Sequence, residues 1–120
     1  MGWKLDDKQS IYGQLMDVIL RRIVTGIYPA GSKLGSVREL AQEAGVNPNT
    51  MQKALSELER TSIISTQRTS GKYVTEDQNM IDDIRMSLAK TALDHFFSEM
   101  KALGFERKDV LALMKEEEQK

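Results

Sequence analysis

The stretch from Asn49 to Arg60 carries side chains that can form specific hydrogen bonds with another molecule. At helical spacing, its outward face holds Asn49, Gln52, Lys53, Ser56 and Arg60. The amide of an Asn or Gln side chain can pair with adenine through two hydrogen bonds, so Asn49 and Gln52 are candidate base-reading residues. Lys53 and Arg60 can attract phosphate or simply keep the surface soluble. Exposed polar residues need no function, so the interpretation depends on the element that carries them.

The same stretch has an apolar face, which predicts an amphipathic helix. Its apolar positions recur at the helical period: Met51, Ala54, Leu55 and Leu58. The helix is predicted to begin at Asn47-Pro48, with Asn47 as the N-cap and Pro48 in the first helical position. Asn47 is therefore at least a helix cap, and a contact with another molecule would be additional.

A shorter helix is predicted just before this one. Ser36 and Glu39 have the spacing of a capping box, in which each side chain accepts a hydrogen bond from the other residue's backbone amide. The apolar positions that follow also keep the helical period: Val37, Leu40, Ala41 and Ala44. Gly45 then ends the helix in the left-handed conformation. Two helices joined by a tight turn form a helix-turn-helix, whose second helix enters the DNA major groove, and Arg38 becomes a candidate phosphate or base contact.

A β-hairpin is predicted directly after the second helix. Residues 63–66 and 72–75 are β-prone and flank the polar, basic segment 67–71. A hairpin in this place is the wing of a winged helix, which lies along the DNA phosphates or the minor groove. We therefore expect Arg68 and Lys72 to lie on a solvent-facing tip and to contact phosphates, and Gly71 to let the backbone approach closely.

Helices are also predicted on both sides of this motif. Residues 10–25 form the first, and residues 106–115 form the last, followed by a frayed tail. Between the hairpin and Gly104, a long helix that begins with a Thr75–Gln78 capping box carries an apolar stripe: Ile81, Ile84, Leu88, Ala92, Phe96 and Met100. So wide a stripe must be buried, either against its own domain or against a second copy. Because C2 dimers are the commonest closed assembly, we assign these positions to a homodimer interface.

Composition limits the remaining classes of function. The chain has 120 residues, a net charge of −1 and no cysteine, so a disulfide framework and a thiolate metal site are excluded. Residues 1–75 hold ten Lys/Arg against seven Asp/Glu, whereas residues 76–120 hold seven against eleven. This asymmetry suits a DNA-contacting module attached to a segment that stays off the DNA. No apolar run has the length of a signal peptide or membrane span, which favours a cytoplasmic protein.

No constellation of residues indicates an enzyme, a cofactor or a metal centre. There is no nucleophile paired with a base, and no pair of carboxylates at catalytic spacing. His95 is the only histidine, and Asp94 and Glu99 do not complete the three or four ligands that a metal needs. We expect His95 to be solvated or interfacial.

The first 75 residues resemble the GntR family of bacterial transcription regulators, and the short tail resembles that of its YtrA-like branch. The resemblance is carried by SIYGQL (10–15), GIYPAGSKL (26–34), SVRELA (36–41) and VNPNT (46–50). It implies a homodimeric DNA-binding regulator, usually a repressor. By this resemblance, the DNA contacts fall on the wing at 68–71 and on the following residues: Ser36, Arg38, Asn47, Asn49, Thr50 and Gln52.

Three positions depart from the pattern of the family. Gly35 replaces the usual proline before the first helix of the motif. Ser62 stands where a glycine usually follows the recognition helix, and Thr69 replaces the first glycine of the wing.

These observations predict a mostly α-helical fold with a small β-hairpin. A winged helix-turn-helix DNA-binding domain occupies residues 1–75, and a helical dimerisation tail occupies residues 76–120. The expected partners are a second copy and a double-stranded, pseudo-palindromic DNA operator. A small-molecule effector, if one exists, would have to bind in or near the dimer interface, because only 45 residues follow the wing. The alternative is a protein–protein adaptor that uses a winged helix without binding DNA.

Overall fold

The structure, a computed structural model, describes residues 3–67 and 71–119. The elements, in chain order, are α1 (Ile11–Val24), β1 (Lys33–Gly35), α2 (Val37–Ala44), α3 (Pro48–Arg60), β2 (Ile64–Gln67), β3 (Gly71–Val74), α4 (Gln78–Ala102) and α5 (Arg107–Glu118). The predicted fold class, mostly helical with a small β-hairpin, is confirmed, and a third short strand extends the hairpin into a sheet. The chain forms two compact units, Met1–Arg85 and Met86–Lys120.

The core of the first unit lies where α1, α2 and the sheet meet α3. Each helix contributes the apolar face that its periodicity predicts, and the central side chains are fully buried: Leu15, Ile19, Met51, Leu55 and Leu58. Because α3 packs against both α1 and α2, its position is fixed along its apolar face. Its polar face is left outside.

The sheet has three antiparallel strands in the order β1-β3-β2. The β2–β3 pair is the predicted hairpin, with Thr66 opposite Lys72 and Ile64 opposite Val74. Strand β1 was not predicted, because three residues are too few to show an alternating pattern. It pairs with β3 across a local irregularity between Lys33 and Gly35.

Gly35 has a backbone conformation that a proline could not adopt. Its φ angle is +106°, whereas the pyrrolidine ring holds φ near −65°. Glycine at this position therefore allows the backbone conformation in which β1 bends into the first turn of α2.

The start of α4 differs from its predicted capping box. Asp77 is the cap, since its Oδ1 accepts a 3.1 Å hydrogen bond from the backbone N–H of Met80. The Thr75 hydroxyl instead accepts from the backbone N–H of Asp77. Gln78, the expected partner of Thr75, is the first residue of the helix, so the Thr75–Gln78 capping box was wrong.

The second unit contains most of α4 and all of α5. The chain reverses after α4 at Gly104, where Phe105 N–H donates to the carbonyl of Met100. Val110 of α5 is 1% exposed, and the Arg107 guanidinium lies 4.4 Å from the centre of the Phe97 ring. Helix α5 continues to Glu118, three residues beyond the predicted end at 115.

Within residues 3–67 and 71–119, no helix is both long enough and apolar enough to cross a membrane.

Candidate nucleic-acid interface

The turn between α2 and α3 has the geometry that the sequence predicts. Gly45 ends α2 at φ 73°. Asn47 then caps α3, because its side-chain Oδ1 accepts a 2.7 Å hydrogen bond from the backbone N–H of Asn49. The cap uses only the oxygen of the Asn47 amide. Its NH₂ group remains able to donate to an acceptor beyond the helix, such as a phosphate oxygen.

The outward face of α3 presents the two candidate base-reading side chains. Asn49 and Gln52 are exposed, and Thr50 is half-buried between them in sequence. Gln52 Nε2 donates a 3.0 Å hydrogen bond to the hydroxyl of Ser56, one helical turn away. This bond orients the amide yet leaves its oxygen and one N–H unused, which are the two groups that pair with adenine.

The two cations on α3 differ in their surroundings. The Lys53 ammonium lies 4.3 Å from the centre of the Tyr12 ring of α1, so a cation–π contact holds its side chain at the helix surface. Arg60 forms a 3.0 Å ion pair with Glu57. Lys53 therefore remains a candidate phosphate contact, whereas Arg60 is neutralised by a residue of its own helix.

The start of α2 carries a second group of candidate contacts. The predicted capping box is confirmed: Ser36 Oγ accepts from Glu39 N–H, and Glu39 Oε1 accepts from Ser36 N–H, both at 3.0 Å. The hydrogen bonds from Ser36, together with the charge of Lys33, lower the pKa of Glu39. The cap uses Ser36 Oγ as an acceptor, so the hydroxyl proton can be donated either to the Glu39 carboxylate or to an acceptor beyond the helix.

Two exposed cations flank this capping box. The side chains of Arg38 and Lys33 form no hydrogen bond or ion pair with any part of the chain that the structure describes. Lys33 was not predicted as a site residue, because its importance depends on β1. The Lys33 side chain passes close to Gly71, the first residue of β3: a methyl group at this glycine would lie 3.5 Å from Lys33 Cε.

The wing differs from its prediction at one residue. Gly71 begins β3 with a φ angle of +97°. The Lys72 side chain was expected on a solvent-facing tip, but it is only 12% exposed and forms an ion pair with Glu59 of α3. The expected exposure was wrong, because Glu59, a half-buried residue of α3, lies within reach of the lysine. Arg68, with Thr69 and Ser70, lies outside the described residues.

The six positions assigned to a dimer interface divide into two groups. Ile81, at 4% exposure, belongs to the core of the first unit, and Ile84 packs against that core. Their burial therefore needs no partner. The other four lie in the second unit, where Leu88 and Met100 are half-buried and Ala92 and Phe96 are exposed. Met86 and Leu93 of the same helix are 58% and 48% exposed.

No group of three His, Cys, Asp or Glu side chains suited to a metal ion occurs within 3–67 and 71–119. His95 Nε2 lies 3.4 Å from Glu99 Oε1 on the exposed surface of α4.

Three helices packed around a short sheet, with the polar face of α3 left open, define a winged helix-turn-helix protein. The pattern described as "Bacterial regulatory proteins, gntR family" matches residues 11–74. The chain is 36% identical over 111 residues to the uncharacterized HTH-type transcriptional regulator YhcF of Bacillus subtilis, with 92% of each chain covered. It is 34% identical over 116 residues to the HTH-type transcriptional repressor YtrA of that bacterium, covering 94% of this chain and 89% of the relative.

A solved structure gives the same assignment. A GntR family transcriptional regulator from Listeria monocytogenes matches with a TM-score of 0.85 and 46% identity, covering 93% of this chain and 98% of that one. This chain belongs to the GntR family of bacterial transcriptional regulators. The predicted family is confirmed, and this family consists of DNA-binding regulators rather than enzymes.

Proposed function

We propose that this protein is a repressor that binds a pseudo-palindromic DNA operator as a homodimer. The observation that carries the proposal is the exposed face of α3, where Asn49 and Gln52 have unused hydrogen-bonding groups. The relative YtrA, similar over almost the whole chain, bears the name of a repressor. Repression follows if the bound operator overlaps the site at which transcription begins.

The candidate contacts have separate roles in this proposal. Asn49 and Gln52 read base edges in the major groove, because a side-chain amide matches the donor and acceptor of adenine. Phosphate contacts set the register of the protein on the duplex. They come from cations and from polar side chains that can donate a hydrogen bond: Lys33, Ser36, Arg38, Asn47, Thr50 and Lys53.

The homodimer is proposed from the apolar side chains of the second unit. Leu88, Phe96 and Met100 recur on one side of α4, and Leu93 and Met86 widen the apolar surface. Several exposed apolar side chains on one helix are typical of an interaction surface. Two copies related by a two-fold axis would present two α3 helices to inverted half-sites, which is why a pseudo-palindrome is expected.

Selection of bound sequences from a random double-stranded DNA pool tests the proposal. We expect enrichment of an inverted repeat whose half-sites are separated by roughly one helical turn of DNA or a multiple of it. Affinity for that sequence should fall steeply as salt rises, because bound phosphates release counterions. A complex of two chains per duplex is expected by sedimentation.

The same selection experiment distinguishes a DNA-binding regulator from a protein–protein adaptor. Enrichment of a single, non-repeated site bound by one chain would contradict the homodimer. Absence of DNA binding even at low salt would contradict the regulator proposal as a whole and would favour a protein–protein adaptor.

A further inference from the structure

Glu59, the second-last residue of the recognition helix α3, contacts both strands of the wing. Its Oε1 accepts a 2.9 Å hydrogen bond from the Thr66 hydroxyl of β2. The same oxygen accepts from the Lys72 ammonium of β3, which also donates a 2.9 Å hydrogen bond to Thr66 Oγ1. Three side chains from three elements therefore close a triangle of hydrogen bonds.

The strand register explains why this triangle forms. Thr66 and Lys72 are directly opposite each other in the β2–β3 ladder. Residues opposite each other project from the same face of a sheet, so both side chains can reach one acceptor. Lys72 belongs to β3, the central strand of the sheet, and on its other side it lies opposite Gly35 of β1. The contact with Glu59 thus joins the end of α3 to the middle of the sheet.

This ion pair is more buried than the pairs formed within a single helix. The side chains of Lys72 and Glu59 are 12% and 29% exposed, whereas those of Arg21 and Asp17, an ion pair within α1, are 61% and 48% exposed. Partial burial reduces screening by water and salt, so the pair restrains geometry more than an exposed one. It also removes the Lys72 ammonium from the groups that are free to meet a phosphate.

We infer that Glu59 and Lys72 are positioning residues, which set the wing relative to the recognition helix and do not themselves contact DNA. A phosphate contact by Lys72 would require its ammonium to leave Glu59 and uncover a carboxylate close to the polyanion. In the arrangement described, the lysine neutralises that carboxylate while the wing is held in place. The inference rests on the proposed binding of operator DNA.

The first test measures the wing without DNA. Amide hydrogen exchange is compared between the wild-type protein, Glu59→Gln and Lys72→Met. We expect the amides of Ile64–Gln67 and Gly71–Val74 to exchange roughly tenfold faster in both variants, because the strands open locally. Amides in the middle of α1 and α3 should keep their wild-type rates. The double variant Asp17→Asn with Arg21→Met is the matched control and should leave the hairpin unchanged.

The second test measures operator affinity as a function of salt. Each single variant should bind roughly tenfold more weakly, and the double variant no more weakly than the worse single, because both changes break one interaction. The slope of log affinity against log salt should stay at its wild-type value for Lys72→Met. Arg38→Ala, which removes a proposed phosphate contact, should reduce that slope by about one and shows that the assay detects such a loss.

Two results would overturn the inference. One is unchanged hairpin exchange in both variants. The other is a slope reduced by about one in Lys72→Met together with unchanged or tighter binding by Glu59→Gln, which would make Lys72 a phosphate contact and Glu59 its competitor. If the wild-type protein bound no DNA, the proposed function would fail, while hydrogen exchange would still decide whether the triangle holds the wing.

Discussion

The indole Nε1 of Trp3 donates a 3.0 Å hydrogen bond to Oε2 of Glu43, forty residues away in the sequence. Arg22 lies beside this pair; it is a charged residue only 9% exposed, and its guanidinium is 4.6 Å from the centre of the Trp3 ring. Arg22 is also 3.5 Å from Glu43 and donates a 2.8 Å hydrogen bond to the hydroxyl of Tyr28. These contacts join the N-terminal segment to α2. The buried charge of Arg22 is stabilised by Glu43, by the Tyr28 hydroxyl and by the Trp3 ring.

Substitution of Trp3 tests the strength of this tie. Trp3→Phe keeps an aromatic ring over Arg22 but loses the hydrogen bond, so the free energy of unfolding should fall by about 1 kcal/mol. Trp3→Ala also loses the cation–π contact and the partly buried ring surface, and should cost roughly 2–3 kcal/mol. Urea unfolding followed by circular dichroism measures the free energy of unfolding of both variants. Tryptophan fluorescence is unsuitable, because Trp3 is the only tryptophan and both variants remove it. Equal stability of the two variants would show that the ring itself contributes nothing.

Ser62 is strained in a way that one substitution should relieve. Its φ angle is +68°, the only positive value at a residue other than glycine within 3–67 and 71–119. The left-handed conformation costs an L-residue roughly 1–2 kcal/mol, partly offset by the greater entropy that glycine loses on folding. Ser62→Gly should therefore stabilise the protein by about 0.5–1 kcal/mol in thermal unfolding. Ser56→Gly, in the middle of α3, is the control and should destabilise it; stabilisation by neither change would show that Ser62 is not strained.

Gly13 and Gly35 should respond oppositely to the same substitution. Gly13 lies in α1, where a Cβ would meet Ser10 only at ordinary contact distances of 3.6 and 3.7 Å. Gly13→Ala should stabilise by roughly 0.5–1 kcal/mol, because alanine loses less entropy in a helix. Gly35→Ala places a side chain at φ +106° and should destabilise by about 1 kcal/mol or more. Gly35→Pro, which restores the residue usual in the family, should destabilise further; a stable proline variant would contradict the backbone path described for β1.

Arg38 and Gln52 should differ in what their loss does to DNA binding. Gln52→Ala should cost about 1–3 kcal/mol on the selected operator and relax the preference at one base position. Arg38→Ala should weaken binding to operator and scrambled DNA alike, if it mainly touches phosphate. Fluorescence anisotropy titrations with both duplexes measure the two effects. An equal loss on both duplexes for Gln52→Ala would remove it from the base-reading residues.

Charged substitutions along α4 should separate folding from dimerisation. Phe96→Asp puts a charge into the proposed interface, so we expect a folded monomer with weaker operator binding. Ile81→Asp buries an unpaired charge in the core of the first unit and should lower its unfolding free energy by several kcal/mol. Lys90→Asp, at an exposed position of α4, is the control and should remain dimeric. Sedimentation and circular dichroism distinguish these outcomes, and a dimer that persists in Phe96→Asp would place the interface elsewhere.

The helix-turn-helix and its caps could be predicted from sequence because their determinants are local. The capping box of Ser36 and Glu39, the left-handed Gly45 and the Asn47 cap each involve residues at most four positions apart. Apolar periodicity similarly needs only a window of a few turns. These short-range interactions were sufficient to locate α3 and its outward face, and hence the side chains proposed to meet DNA.

Tertiary structure alone decided the features that join distant residues. Strand β1 forms because Lys33 pairs with Tyr73 of β3, forty residues later in the sequence. A strand of three residues is too short to show an alternating pattern that would predict it. Lys72 looked like a cation of the wing tip until Glu59, thirteen residues earlier, was placed beside it. Arg22 shows no pattern in the sequence that marks it as buried, because Trp3, Tyr28 and Glu43 enclose it from three segments. Long-range pairing and burial depend on how the elements pack, and this information is not contained in the spacing of neighbouring residues.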